Sequence, residues 1–328
     1  MAIPESKLAT LGEVAKELEL VKKQSIAALG DGQVFVRRTV DGFIKSVKGA
    51  VVLSEANGEI AVIQGKAMTT GKGFYRANQI CGLSIVTPEK LTLPTGQVVV
   101  NPFPVIDEES GTLRKVWVKK LAIGYSPMGN LVITSATLLY DINAYFLQDL
   151  MKKVQYNQGS GRICMEQMLT EDEKRTGIFY KIDGSLGVWA NVSHKEILKA
   201  IDTFINKKQF AERNAQTIAE RLALGKHPAL SHLAYVNAQG PEKKTIAREM
   251  VIGYIKDDDP KTLMDIAARA ERGEEIVING QRVDVVNVTG EASVEDMTID
   301  VDDEEKIVTA QVEESPKNQN TFFGGDSY

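Results

Sequence analysis

Apolar positions recur at helical intervals near the N-terminus, where Thr10-Leu11-Gly12-Glu13 has the spacing of a capping box and Val14, Leu18, Val21 and Ile26 follow on one side. Gly30-Asp31-Gly32 ends that helix. Residues 34–48 repeat the pattern, with Val36, Val40, Phe43, Ile44 and Val47 on one face and Arg37, Arg38, Lys45 and Lys48 largely off it. A helical hairpin is expected within an N-terminal helical region, residues 1–50. The pattern then shortens. Residues 51–54 and 59–64 are strand-like and flank Asn57-Gly58, a dipeptide that tolerates the positive φ of a type I′ turn. Residues 97–100, 116–123 and 130–133 continue in the same vein, interrupted by Pro94, Pro102, Pro104 and Ser126-Pro127, and predict antiparallel strands joined by irregular loops.

A helix over 137–154 carries Leu139, Ile142, Phe146 and Leu150 along its buried face. Residues 178–182 and 186–192 alternate around Asp183-Gly184 and predict a hairpin. Ser193-His194-Lys195-Glu196 is a second capping box, opening a helix marked by Ile197, Ile201, Phe204 and Ile205. Another helix over 210–224 is expected to stop at Gly225, with Pro228 just beyond. Further on, Asp259 as N-cap and Pro260 in the first turn start a short helix through Ala270 that stops near Gly273, and residues 277–288 form a last hairpin around Asn279-Gly280. No internal repeat appears. The expected class is α+β, an antiparallel sheet with hairpins packed against helices. Its expected parts are the helical region 1–50, an α+β core over 51–235, a small C-terminal subdomain over 236–289 and a disordered acidic tail over 290–328.

The length of 328 residues, 43% of them hydrophobic, and a mean hydropathy of -0.16 exclude disorder over the whole chain. No apolar run approaches the roughly 20 residues of a membrane-spanning helix, and charges interrupt the first nineteen residues where a secretory signal would be apolar. A cytoplasmic protein is expected. Cys81 and Cys164 are far apart and lack the spacing of a zinc site, so buried thiols are the reading. From Val286 onward eleven acidic residues face only Lys306 and Lys317, a net of -9; the whole chain carries -5, so residues 1–285 carry +4. A mildly basic body with an acidic tail is compatible with a polyanionic partner, since the tail can compete for the same basic surface.

Catalytic motifs are missing from the sequence. GKAMTTGKG, residues 65–73, superficially resembles a phosphate loop, but five residues separate Gly65 from Gly71-Lys72 and Gly73 stands where a magnesium-binding hydroxyl is required. It reads as a flexible glycine-rich loop beside Lys66, Lys72 and Arg76. His194, His227 and His232 match no metal or triad spacing and are assigned surface or capping roles. Asp257-Asp258-Asp259 reads as solvated loop and cap. No enzymatic centre, cofactor or metal is therefore expected.

Cations recur on the predicted elements. Arg114, Lys115, Lys119 and Lys120 surround Trp117; Lys174, Arg175 and Lys181 attend the Asp183-Gly184 hairpin; Lys195, Lys199, Lys207 and Lys208 follow it. On the helix over 210–224, Arg213, Thr217 and Arg221 share a face, opposite Ala215, Ile218, Ala219 and Leu222, and Lys226 lies beyond. Such a set can follow a nucleic-acid backbone, with Tyr125, Tyr180 or Trp189 available to stack on unpaired bases. The same residues also fit an ordinary charged surface with core aromatics.

The order of certain segments resembles a known family. An N-terminal helical pair precedes Ala77-Asn78-Gln79-Ile80-Cys81-Gly82-Leu83-Ser84, which leads to Asn101-Pro102-Phe103-Pro104. A strand set then ends in Ile123-Gly124-Tyr125, and a hairpin is followed by the basic helix from Thr217 to Pro228 with its Leu224-Gly225-Lys226-His227-Pro228 end. This resembles phage single-strand annealing proteins of the RecT/Redβ class over residues 30–230; the stretch 87–105 and the residues after Pro228 depart from it. The resemblance implies an ATP-independent protein of the bacterial host cytoplasm that coats single-stranded DNA, forms ring or filament homo-oligomers, and pairs complementary strands into annealed duplex during phage recombination. It also implies a host single-strand-binding protein or a phage exonuclease as partner, and no membrane. Arg213, Arg221 and Lys226 are then phosphate contacts and residues 175–181 a hairpin contact. The alternative is a phage structural or assembly protein that self-associates without DNA. An enzyme whose centre has no local signature is a third reading.

Overall fold

The computed structural model describes residues 34–39, 42–108, 110–254, 260–278, 281–293 and 296; the expected helix near Thr10, the Asp257–Asp259 run and most of the tail lie outside them. The chain divides into two compact units, one from Met1–Tyr145 and Phe210–Asp300 and the other centred on Phe146–Gln209. The class is α+β.

The described part of the larger unit begins with β1 (Val34–Thr39) and β2 (Gly42–Ser54), an antiparallel hairpin that replaces the helix expected over 34–48. Strand pairing along the full length of β2 overrides a short apolar periodicity. The Asn57-Gly58 turn is present, with Gly58 at φ 70° and its N–H donating to the Glu55 carbonyl at 2.9 Å. It does not close a hairpin, because β3 (Ile60–Ile63) pairs instead with β4 (Lys66–Thr69). The GKAMTTGKG stretch is thus strand followed by helix and not a flexible loop. Thr70 caps α1 (Gly71–Cys81), its hydroxyl accepting from the Gly73 N–H at 3.2 Å, and Gly82 ends it in the left-handed conformation at φ 72°.

Short strands follow: β5 (Ser84–Val86), β6 (Lys90–Thr92), β7 (Val98–Val100) and β8 (Phe103–Ile106). Then come the long β9 (Leu113–Tyr125) and β10 (Leu131–Asp141). β10 takes the first five residues of the helix expected from Thr137; α2 (Ile142–Tyr156) starts only where the Asp141 carboxylate accepts from the Asn143 and Ala144 N–H groups at 3.0 and 3.2 Å.

The smaller unit contains β11 (Gly161–Met165), α3 (Glu171–Thr176), β12 (Gly177–Asp183), β13 (Leu186–Asn191) and α4 (Lys195–Gln209), with strand order β11-β13-β12. The expected hairpin around Asp183-Gly184 is the β12–β13 pair, with Gly184 at φ 54°. Its core joins Phe146, Leu150 and Val154 to Val188, Ala190, Ile197 and Ala200. The acceptor at the start of α4 is the His194 ring, whose Nδ1 takes the Glu196 N–H at 3.3 Å.

The chain re-enters the larger unit with α5 (Ala211–Lys226), β14 (Tyr235–Val236), β15 (Ile246–Tyr254), α6 (Pro260–Glu271), β16 (Val277–Ile278), β17 (Gln281–Arg282) and β18 (Asp284–Glu291). Gly225 does not stop α5, which runs to Lys226 and is capped by His227. That ring is fully buried rather than at the surface, its Nδ1 accepting from the Ala229 N–H at 3.2 Å. The expected pairing around residues 279–280 is seen between β16 and β17. Residues 236–289, expected as a separate subdomain, instead supply β15 to the β1-β2-β15 sheet and β18 to the central sheet β18-β10-β9-β5. β18 runs parallel to β10, from Val132↔Asp284 to Leu139↔Glu291, where antiparallel pairing alone was expected. A tail beginning at 290 would therefore cut into a strand.

The β9–β10 pair is the middle of the larger unit. Side chains alternate across a strand, and the register Thr134↔Ala122 and Ala136↔Lys120 puts these residues on one face. There Ala122 and Ala136 pack with Ala223 and Leu224 of α5. On the other face Leu121, Ile123 and Ile133 pack with Ile266 and Ala267 of α6. Both faces are covered, which explains the nearly continuous burial of the two strands. Cys81 and Cys164 are free and buried, as read from their spacing.

The close approach of α1 to β3 can be tested at Gly73. A Cβ there would lie 2.1 Å from the Glu59 carbonyl oxygen and 2.7 Å from the Thr69 methyl. Replacing Gly by Ala in a helix ordinarily gains about 1 kcal/mol, but a backbone carbonyl cannot swing aside. Gly73→Ala is expected to lower unfolding free energy by about 3 kcal/mol in urea titrations.

Candidate nucleic-acid interface

Consecutive residues on a strand point to opposite faces, so Lys119 and Lys120 leave β9 in opposite directions. Each meets a carboxylate on the helix that covers its face. Lys119 Nζ lies 2.5 Å from Glu271 of α6. Lys120, 4% exposed, donates to Glu220 at 2.7 Å and reaches Gln216 of α5 and the Thr87 hydroxyl. Burial pushes the Lys120 ammonium down and the Glu220 carboxyl up from their ordinary values. Neighbouring Lys115 pairs with Asp141 at 2.8 Å, and Arg114 is exposed. Three of the four cations around Trp117 thus hold the fold's own carboxylates.

In the smaller unit, Lys181 pairs with Glu166 at 2.9 Å, Arg175 is exposed at the end of α3, Lys207 is buried, and Lys208 sits 4.8 Å from the centre of the Phe204 ring. The three aromatics expected to stack on bases are engaged internally. Tyr180 makes an edge contact with Phe146 at 5.1 Å, and Trp189 donates its indole N–H to the Glu173 carbonyl at 2.7 Å. In the larger unit Tyr125 is tilted against Tyr254 at 5.4 Å.

The basic helix α5 divides differently from its expected face. Arg213 is exposed, its guanidinium 4.4 Å from the centre of the Phe210 ring, and Lys226 is exposed at the other end. Arg221 is 7% exposed and ion-paired with Asp296, so the expectation that it stands clear of packing is corrected. Eight residues advance a helix by about 2.2 turns and leave Arg221 some 80° round from Arg213, enough to bring it into a cleft. That cleft, about 250 Å³, is lined by Thr69, Phe74, Arg221, Lys226, Tyr235 and Asp296 among others. Tyr235, 62% exposed on β14, was not among the sequence candidates. The available signal was an aromatic nine residues after the basic helix end; its place beside Arg221 comes from β14 pairing with β4, which no local pattern shows.

Among the described residues no cluster of three or more His, Cys, Asp or Glu is arranged to hold a metal ion, and no helix is long and apolar enough to cross a membrane. Comparison with family models, curated proteins and solved structures finds no match to this chain.

Lys120→Met alone should cost about 3–5 kcal/mol, because it strands Glu220 beneath α5, whereas Lys120→Met with Glu220→Met should return to within about 1 kcal/mol of wild type. Urea midpoints of the two proteins measure the difference.

Glu173 gives a pH prediction. The Arg162 guanidinium, bonded at 2.8 and 3.0 Å, and the Thr170 N–H at 2.8 Å hold its carboxyl down at about 2. A folded value below the ordinary one adds stability that is present above about pH 4.5 and lost as pH falls toward 2. Between pH 5 and 3 the wild type should lose more stability than Glu173→Gln, as read by denaturant midpoints at each pH.

Proposed function

We propose that the chain binds single-stranded DNA along its backbone and anneals complementary strands without hydrolysing nucleotide, in phage-type recombination in the bacterial cytoplasm, and that it is not an enzyme. The observation that carries this reading is the exposed Tyr235 ring in the same cleft as Lys226 and Arg221. An aromatic residue and two cations lining one cleft offer what an unpaired strand requires: a surface for a base to stack on, and positive charge for its phosphates. The cleft lies at the end of the helix that carries the resemblance to RecT/Redβ-class annealing proteins. Arg213 and Lys226 on α5, with Arg114, Arg175 and the ion-paired Lys181 elsewhere, are the exposed members of the expected cationic set. Lys115, Lys119, Lys120 and Lys181 bind carboxylates of the fold, and their role in this reading is structural.

Annealing requires no bond chemistry. Phosphate neutralisation holds one strand with its bases available, and pairing with a second strand supplies the sequence specificity. A ring or filament of copies would extend the surface along the strand, and a host single-strand-binding protein or a phage exonuclease would hand DNA to it. The assembly reading, self-association without DNA, is favoured by one specific feature: Val98 and Val100, alternate residues on one face of β7, are 61% and 68% exposed, apolar side chains suited to protein contact.

Anisotropy of a labelled oligothymidylate, titrated at several salt concentrations, tests the proposal. Arg213→Ala with Lys226→Ala should weaken binding and flatten the logarithmic salt slope by about 1.4, the contribution of two phosphate contacts on a single strand. Tyr235→Ala should weaken binding by about 1–3 kcal/mol and leave the slope unchanged. Oligomers with no affinity for the oligonucleotide would refute the proposal in favour of assembly.

A further inference from the structure

Arg221 is a nearly buried guanidinium that nevertheless faces open space. About 250 Å³ lies beside it, room for roughly eight waters at ~30 Å³ each. Lys226 is a second cation in the lining. The carboxylate seated on Arg221 comes from Asp296, beyond the last strand of the sheet and 75 residues away in sequence. Both oxygens of that carboxylate are engaged. Oδ1 accepts from Arg221 Nη2, and Oδ2 accepts from the Ser293 N–H at 2.9 Å and the Ser293 hydroxyl at 2.7 Å. The Asp296 N–H returns a bond to the Ser293 oxygen at 3.1 Å. This reciprocal pair with Ser293 holds the carboxylate from its own side, so Arg221 is not its sole support.

We infer that the Arg221 cleft is a phosphate seat, filled in this structure by the chain's own Asp296 as an internal stand-in. A carboxylate and a phosphate present similar oxygen pairs to a guanidinium, and the phosphate carries more acceptor oxygens for further donors of the lining. Glu291 stays on β18 and also lines the cleft. Among the described residues of the lining the four charged ones balance with Asp296 in place, and with Asp296 displaced the other three leave net positive charge. The sequence onward carries Asp300, Asp302, Asp303, Glu304 and Glu305, so the competitor is tethered and acidic along its length. For its physiological ligand, a backbone phosphodiester, the inference rests on the DNA-binding reading. The seat itself does not.

The test uses the full chain with inorganic pyrophosphate as probe, read by thermal shift and by titration. Removing the tethered carboxylate with Asp296→Asn should lower the melting temperature without anion and raise pyrophosphate affinity roughly tenfold over wild type. Ser293→Ala, which keeps both charges but loosens the carboxylate, should give a smaller gain in the same direction; it carries the test alone if Asp296→Asn fails to fold. Adding Arg221→Gln to whichever of the two variants folds should abolish the gain. Equal pyrophosphate affinity in wild type and variants, or a gain that survives Arg221→Gln, overturns the seat. A labelled oligothymidylate run in parallel separates the two readings. No pyrophosphate gain in Asp296→Asn, with oligonucleotide bound equally by wild type and variant, defeats the seat and leaves the DNA reading standing. A pyrophosphate gain with no oligonucleotide binding by any of the proteins supports the seat and defeats the DNA reading.

Discussion

The structure of the larger unit depends on a pair of long strands, β9 and β10, covered on both faces. Small residues on one face, Ala122 and Ala136, let α5 lie close, and larger aliphatics on the other meet α6. A doubly covered strand has no wet side on which to place a charge. Two adjacent lysines in β9 therefore each require an acceptor from a different helix, Glu220 on α5 and Glu271 on α6. The polar contacts across this layer follow from the pleat of one strand and the burial of both its faces.

That constraint reshapes the surface available for binding. A run of cations that looks like a ligand-facing strip in sequence is largely absorbed into the packing of helices on sheet. What remains accessible includes Arg213 and Lys226 at the two ends of α5, with Arg114, Arg175 and Lys181 on other elements. The middle of the same helix, Ala215, Ile218 and Ala219, is buried. One element thus joins the core to the solvent-facing cations, and a change in its seating would alter both.

Legibility followed the range of the determining interaction. The β12–β13 hairpin was readable because Asp183-Gly184 and the flanking alternation fix it locally. The class was readable for the same reason, as was the burial of Cys81 and Cys164. Residues 34–48 were not: their apolar spacing suits a helix, yet they pair with one another as the β1–β2 hairpin, to which β15, some two hundred residues later, adds a third strand along residues 46–54. Gly225 had the look of a helix stop, but its missing side chain serves contact with Phe74, to which a Cβ would stand at 3.1 Å. At the candidate site, Lys226 and Arg213 were legible as exposed cations. The burial of Arg221 and the presence of Tyr235 beside it were not, since both come from long-range pairing and from a residue beyond β18.

The parallel seat of β18 on β10 also bears on how the chain is made. Asp284 lies about 140 residues after the end of β10, which at ordinary rates of synthesis is roughly ten to thirty seconds of elongation. For that interval one edge of the central sheet has no strand to complete it, and an open edge recruits whatever extended segment is nearest, including one from a neighbouring nascent chain. Among the described residues the last strand to leave the ribosome is thus the one that covers this edge, and termination between the end of β10 and Asp284 would release chains whose β10 edge is unpaired.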